Sequence, residues 1–188
     1  MQLTEVDHEQ VRTARAANAL VPVEKHRIQN PAGTILVPCP DGDQFRDVYG
    51  QHCRLCNIER HHPLSLNGGA LLLSKHSPVR HAKLKGSALL LDIKETQGLK
   101  GMDTLALYVH APCGVAYGTS LDFFEVMRLL IEAKLRLLAQ RTLAKLKIVC
   151  FCHVDYPSAT SEVRKRTYFV NRAKTTEFLA ANGREVRV

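Results

Sequence analysis

Residues 104–114 read Thr-Leu-Ala-Leu-Tyr-Val-His-Ala-Pro-Cys-Gly. The first six are apolar or β-branched and carry no charge, which predicts a strand over 104–109. The strand is cut off at His110-Ala111-Pro112-Cys113-Gly114, because proline removes a ladder donor and glycine follows. A short apolar strand that runs into a turn rich in possible ligands is the feature from which the rest of the chain is read.

Other stretches alternate with it. Thr34-Ile35-Leu36-Val37 predicts a buried strand that stops at Pro38-Cys39-Pro40-Asp41-Gly42-Asp43. Residues 70–73, after the bend Asn67-Gly68-Gly69, read as another strand, 147–154 as a further one and 166–170 as a short edge strand. Residues 1–26 read as a helical arm capped by Thr4, with Val11, Ala14, Ala17 and Leu20 at helical spacing up to Pro22. A helix over 87–97 is expected from Ser87 as its cap and Gly98 after it. The longest element is expected from Thr119, with Asp122 completing an acidic capping box, to about Ala144. Residues 175–181 predict a last helix, and 44–63 read as an irregular insertion rich in Cys and His.

Strands alternating with helices imply an α/β fold: a mostly parallel sheet of four to five strands flanked by helices, with the N-terminal arm, in one domain over 1–188. The 188 residues, 21.0 kDa, suit that size. No apolar run reaches the roughly 18 to 20 residues of a membrane-spanning helix, and the start MQLTEVDHEQ is polar where a secretory signal is basic and then apolar. A cytoplasmic protein without a membrane is therefore expected. Subtracting 18 acidic from 26 basic residues leaves +8, a surplus that favours anions. The basic residues are scattered, however, and Arg164-Lys165-Arg166 reads as a solvated turn. There is no Trp and only 6% of residues are aromatic, so the stacking platform of a nucleic-acid binder is missing.

Ligands bind beyond the carboxyl ends of parallel strands, and both ligand-rich turns leave their strands at that edge. Cys39, His110 and Cys113 supply two thiolates and an imidazole, a donor set suited to Zn2+. Asp41 is placed either as the fourth ligand or just outside the shell. The plain alternative is that the cysteines are buried fillers and His110 a hydrogen-bonded loop residue. Cys53 and Cys56, with His61, His62 or His52, match the opening of a zinc knuckle that lacks its last cysteine. They read either as a second, structural zinc site or as two free cysteines. Cys150 and Cys152 alternate on a strand and point to one packed face.

The motifs Cys39-Pro-Asp41-Gly-Asp43 and His110-Ala-Pro-Cys113-Gly114, with Asn67-Gly68-Gly69 between them, resemble the beta-class carbonic anhydrases in order and strand context over roughly 34–155. The resemblance implies zinc on Cys39, His110 and Cys113, Asp41 hydrogen-bonding the reactive oxygen, and reversible hydration of carbon dioxide to bicarbonate. It also implies a homodimer. A second argument points the same way, since the apolar residues of the long helix exceed what one sheet contact would bury. Two positions depart from the family pattern: Asp43 replaces the arginine that pairs with the aspartate, and Leu66 replaces the arginine before Asn67. Without its arginine, Asp41 is an anion beside a dication and is expected to coordinate it. That closes the shell and makes the chain a catalytically silent relative acting as a structural or binding module.

Overall fold

A single six-stranded sheet organises the chain, with strand order β1-β6-β5-β4-β2-β3. The computed structural model describes residues 1–23, 27–157 and 164–187. The strands are β1 (Leu20–Pro22), β2 (Thr34–Val37), β3 (His61–Pro63), β4 (Thr104–Ala111), β5 (Lys147–Asp155) and β6 (Lys165–Val170). β3, β2, β4 and β5 run parallel, and β6 and β1 continue the sheet antiparallel. The mostly parallel α/β architecture expected from the sequence is present. All eight residues of β4 are buried, as a central strand covered on both faces requires.

Side-chain alternation divides the core into two layers. On one face Leu105, Leu107, Val109, Ile148, Cys150, Cys152 and Val154 pack with the helices α3 (Ala82–Lys100) and α5 (Phe123–Leu138) and with a 3-10 turn over Gly69–Leu73. On the other, Leu36, Ala106, Tyr108, Val149 and Phe151 meet Val48 and Leu55 of α2 (Phe45–Leu55). The remaining helices are α1 (Glu5–Ala16), α4 (Gly114–Gly118) and α6 (Arg172–Ala181). Caps account for several boundaries. Thr4 Oγ1 accepts the Asp7 amide, Asp122 Oδ1 the Glu125 amide, and Asn171 Oδ1 the Lys174 amide.

Several expectations need correction. The sheet has six strands where the sequence predicts four to five, and Ser87 and Gly98, expected to bound a helix, both lie inside one that runs Ala82–Lys100. The N-terminal helix ends at Ala16, and Leu20–Pro22 pairs with β6 as a strand; residues 24–26 lie outside the described residues. Residues 45–55 form a helix, because Val48, His52 and Leu55 make one buried stripe at helical spacing. Residues 69–73 form a 3-10 turn, with Gly68 and Gly69 at φ of 100° and 48°, and the additional parallel strand is His61–Pro63. The longest helix is α3, which ends at Gly101 in the left-handed region, and α5 begins only after Asp122. Finally, α5 buries most of its apolar residues within the chain, with Phe124 and Leu135 half-buried and Leu138 exposed. The surplus of apolar residues in that helix thus gives no reason for a partner. Arg164-Lys165-Arg166 leads into β6, where Lys165 pairs with Asp47 at 2.5 Å.

Gly86 marks the closest approach of α3 to the 3-10 turn: a Cβ there would stand 2.0 Å from the Leu72 carbonyl oxygen. Gly86→Ala is expected to cost about 1–3 kcal/mol in denaturant unfolding through this clash. Gly98→Ala, on the same helix with nothing within 4 Å, is expected to gain up to about 1 kcal/mol.

Candidate metal centre

β2 and β4 pair in parallel with Val37 opposite Leu107. Continuing that register past the strand end sets Cys39 beside Val109, next to His110. The turn after β4 then brings Cys113 back toward the same point. One atom each from Cys39, His110 and Cys113 lies within 4.8 Å of the other two, and all three residues are buried. The structure thus gathers three of the four residues that the sequence singles out as ligands.

Neighbouring atoms orient each donor. His110 Nδ1 is 2.7 Å from the Pro112 carbonyl oxygen, to which it donates. This fixes the tautomer and leaves the Nε2 lone pair free, the arrangement found in metal-binding histidines. That Nε2 is buried and has no hydrogen-bond partner. Leaving an acceptor so costs about 1–3 kcal/mol, and a cation among the three donors would satisfy it. The Gly68 amide donates to Cys39 Sγ at 3.4 Å. Gly69 lies so close that a Cβ there would be 2.7 Å from the Cys39 amide nitrogen. The bend 67–69 therefore positions the first thiol.

The two thiols are close enough to shift each other. The hydrogen bond donated by the Cys39 thiol, with help from the Ala116 and Val115 amides and against burial, holds Cys113 down to about 7. The same bond, together with burial, pushes Cys39 up to about 12. Two thiols that can reach one thiolate near neutral pH, beside a free imidazole nitrogen, form a donor set that fits zinc.

Asp41 stands apart from this group. Its Oδ1 accepts the Asp43 amide at 3.0 Å, and among the described residues no basic side chain is paired with it. It remains near enough for its charge to raise the Cys113 thiol. Asp43 is exposed and lies 3.9 Å from the amino terminus of Met1. Beside His110 and Cys113 is a cavity of about 40 Å³, bounded also by Gln2, Thr4, Tyr117 and Leu121. That is room for about three water molecules. His153, opposite His110 in the β4–β5 register, bonds Thr167 Oγ1 through Nδ1 at 2.8 Å and is pushed down to about 4 by burial.

The other cysteine motif divides differently from the sequence expectation. His52, Cys56 and His61 converge, again within 4.8 Å of one another. Cys53 instead hydrogen-bonds Tyr49, and His62 Nδ1 sits 3.0 Å from Lys100 Nζ. Burial, then the neighbouring His61, pushes His52 down to about 3, and burial pushes Cys56 up to about 11. The orienting groups in both clusters (the Pro112 carbonyl and the Gly68, Val115 and Ala116 amides in the first, Tyr108 in the second) are not legible as ligand motifs. Backbone donors carry no residue signature, though Asn67-Gly68-Gly69 marks where one of them falls.

No family model matches this chain, and no curated protein does. Among solved structures it is similar to a carbonic anhydrase from Streptococcus mutans, at 11% sequence identity over 90% of this chain and 100% of that chain, with a TM-score of 0.47. At that identity and score the likeness says nothing about the chemistry of this chain. Among the described residues, no helix is long and apolar enough to cross a membrane.

Metal binding must displace the thiol protons, so affinity is tied to pH. Between about 7 and about 12 only Cys39 still holds a proton, and below about 7 both thiols do. In a zinc competition titration, log K is therefore expected to rise by about one per pH unit from 7.5 to 9, and more steeply below 7. A flat profile would mean that the thiols are not ligands. Cys113→Ser is expected to lower the affinity more than about 100-fold.

Proposed function

We propose that this chain is a zinc-binding, beta-carbonic-anhydrase-like enzyme that interconverts carbon dioxide and bicarbonate. Cys39, His110 and Cys113 hold the metal in this reading. The observation that carries it is the convergence of these three side chains with His110 Nε2 left free, in the order and strand context of the two motifs. Zinc at such a centre supplies Lewis acidity that brings the pKa of a water from 15.7 to about 7.

The chain's own residues do the rest. Three protein donors leave one tetrahedral position for a small reactant. The cavity beside His110 and Cys113, partly walled by Leu121 and Phe123, suits a small apolar molecule such as carbon dioxide. Asp41 orients the proton of the reacting oxygen and accepts it in turn. The positive balance of +8 favours the anionic product. The site needs reduced thiols, consistent with six free cysteines and with a cytoplasmic setting.

The second reading is a silent relative in which Asp41 swings into the shell, and the lack of a paired arginine favours it. The position of Asp41, hydrogen-bonded to the Asp43 amide and outside the donor group, supports the open site instead. We extend the proposal to a homodimer. Leu84, Leu91 and Leu99, exposed along one side of α3, are the apolar surface that supports self-association. Nucleic acid and membrane have no part in it.

Stopped-flow hydration of carbon dioxide by the zinc-loaded protein at mildly alkaline pH tests the enzyme. Measurable turnover is expected, abolished in Cys113→Ser and lowered about 100-fold in Asp41→Ala, as for loss of a proton-transfer group. Zinc-loaded protein that does not exceed the buffer rate, while Asp41→Ala gains activity, establishes the closed shell instead. Light scattering is expected to give twice 21.0 kDa, reduced to the single-chain mass by Leu91→Glu.

A further inference from the structure

His52, Cys56 and His61 form a second cluster that the proposed reaction does not use. His61 aligns with Thr34, and Thr34 with Thr104, at the start of the strands. His110 is six residues further along β4, roughly 20 Å at about 3.3 Å per residue. The cluster thus belongs to the opposite end of the sheet from Cys39 and Cys113.

Its three members come from two segments that the fold already holds in place, the end of α2 and the strand β3. His52 and Cys56 are one helical turn apart at the end of α2, with His52 Nε2 3.3 Å from Cys56 Sγ. His52 Nδ1 is 3.1 Å from the Tyr108 hydroxyl, which turns Nε2 toward the sulfur. Ile28 bridges Cys56 through backbone hydrogen bonds to Leu55 and Asn57. Buried Asn30 clasps Ile58 through both its backbone amide and its carbonyl. His61, in β3, brings its ring to 4.9 Å from that of His52. Both of its ring nitrogens are buried without a hydrogen-bond partner. A hydrogen-bonded core would account for His52 and Cys56. It does not account for His61.

We propose that His52, Cys56 and His61 bind a second Zn2+, independent of the first. Two imidazoles and one thiolate are a borderline-soft set that selects zinc over magnesium or calcium. One His61 nitrogen, His52 Nε2 and Cys56 Sγ are the donors. On binding, the Cys56 sulfur–hydrogen bond breaks, the sulfur keeps the electron pair as a ligand, and the proton passes to solvent. Tyr108 holds the His52 ring from behind, as outer partners of metal-bound histidines do. The ion ties the end of α2 to the edge strand β3, whose three residues pair only with β2 among the described residues.

Cobalt titration of the metal-free full chain reads this directly, since a thiolate on Co2+ gives a near-ultraviolet charge-transfer band. In Cys39→Ser/Cys113→Ser protein, which has no thiolate at the first site, one equivalent of Co2+ is expected to give that band. Adding Cys56→Ser is expected to remove it. In the otherwise unaltered chain, His61→Asn is expected to reduce bound zinc from two equivalents to one and to leave carbon dioxide hydration in place. His61→Asn keeps the buried Cys56 and His52, so it remains informative if the serine variants do not fold. The proposal is overturned if the His61→Asn chain still binds two equivalents, if the unaltered chain binds only one that Cys113→Ser removes, or if the band survives Cys56→Ser. None of these outcomes counts against Cys39, His110 and Cys113, whose failure would appear as a single zinc insensitive to Cys113→Ser.

Discussion

The parallel pairing of β2 with β4 is the constraint on which everything else rests. Four backbone registers, from Thr34 with Thr104 to Val37 with Leu107, carry the chain from Cys39 to the neighbourhood of His110. A slip of one residue would turn His110 to the opposite face of the sheet, because side chains alternate with a period of two. Near the donors, the Gly68 amide on Cys39 and the pairing of His110 with His153 help to hold the register. The rest of the resistance comes from the buried faces of the strands, where Ile35, Val37, Leu105 and Leu107 pack against α3 and α5 while Leu36 and Ala106 pack toward α2. The site is positioned by a core that reaches it only at Cys113 and its neighbours Val109, Ala111 and Ala116.

How much of this the sequence discloses depends on how local the deciding signal is. The strand over 34–37 and the core of β4 and β5 are legible because four to eight apolar residues stand between prolines and glycines. Cys39, His110 and Cys113 are legible for a related reason: each turn directly follows its strand, so knowing the strand gives the edge. The helix α2 is hidden by its composition. Its buried stripe includes a histidine, His52, fully enclosed beside Tyr108, and a polar residue at a core position reads as surface. Residues 69–73 mislead in the opposite direction. Four consecutive buried apolar residues look like a strand, and only the positive φ of Gly68 and Gly69, which brings the chain against Cys39, makes them a turn. β1 is illegible because its partner, β6, is about 150 residues away in sequence.

Asp41 shows where reading by motif stops being sufficient. Its charge, with no arginine beside it, argues for direct ligation, since a bare carboxylate near a dication is strongly attracted. The local backbone argues the other way: the Asp43 amide already occupies one carboxylate oxygen, and the Gln44 and Phe45 amides bond the Asp41 carbonyl. The tight turn that begins α2 thus does part of what a paired guanidinium does elsewhere, by hydrogen bonding instead of by charge. An amide is the weaker restraint, so at the zinc site we propose the balance between an open and a closed shell would be finer than with a paired guanidinium.

The six cysteines can be sorted by what each sulfur faces. Cys150 and Cys152 face only apolar neighbours within the sheet's packed layer, and burial alone raises both thiols far from ionisation, Cys150 to about 12. They behave as small hydrophobic side chains. Cys53 faces Tyr49 near the surface. Cys39, Cys113 and Cys56 are buried as well, but each has polar atoms directed at its sulfur: the Gly68 amide, the Val115 and Ala116 amides, and the His52 ring. Directing donors at a buried sulfur is worthwhile only if that sulfur carries charge at some point, because a neutral thiol gains little from them. In each case an imidazole nitrogen lies within reach of the same point. Burial by itself does not separate filler from candidate ligand in this protein, whereas the polarity of the few atoms touching each sulfur does, and that criterion selects two candidate centres at opposite ends of one sheet.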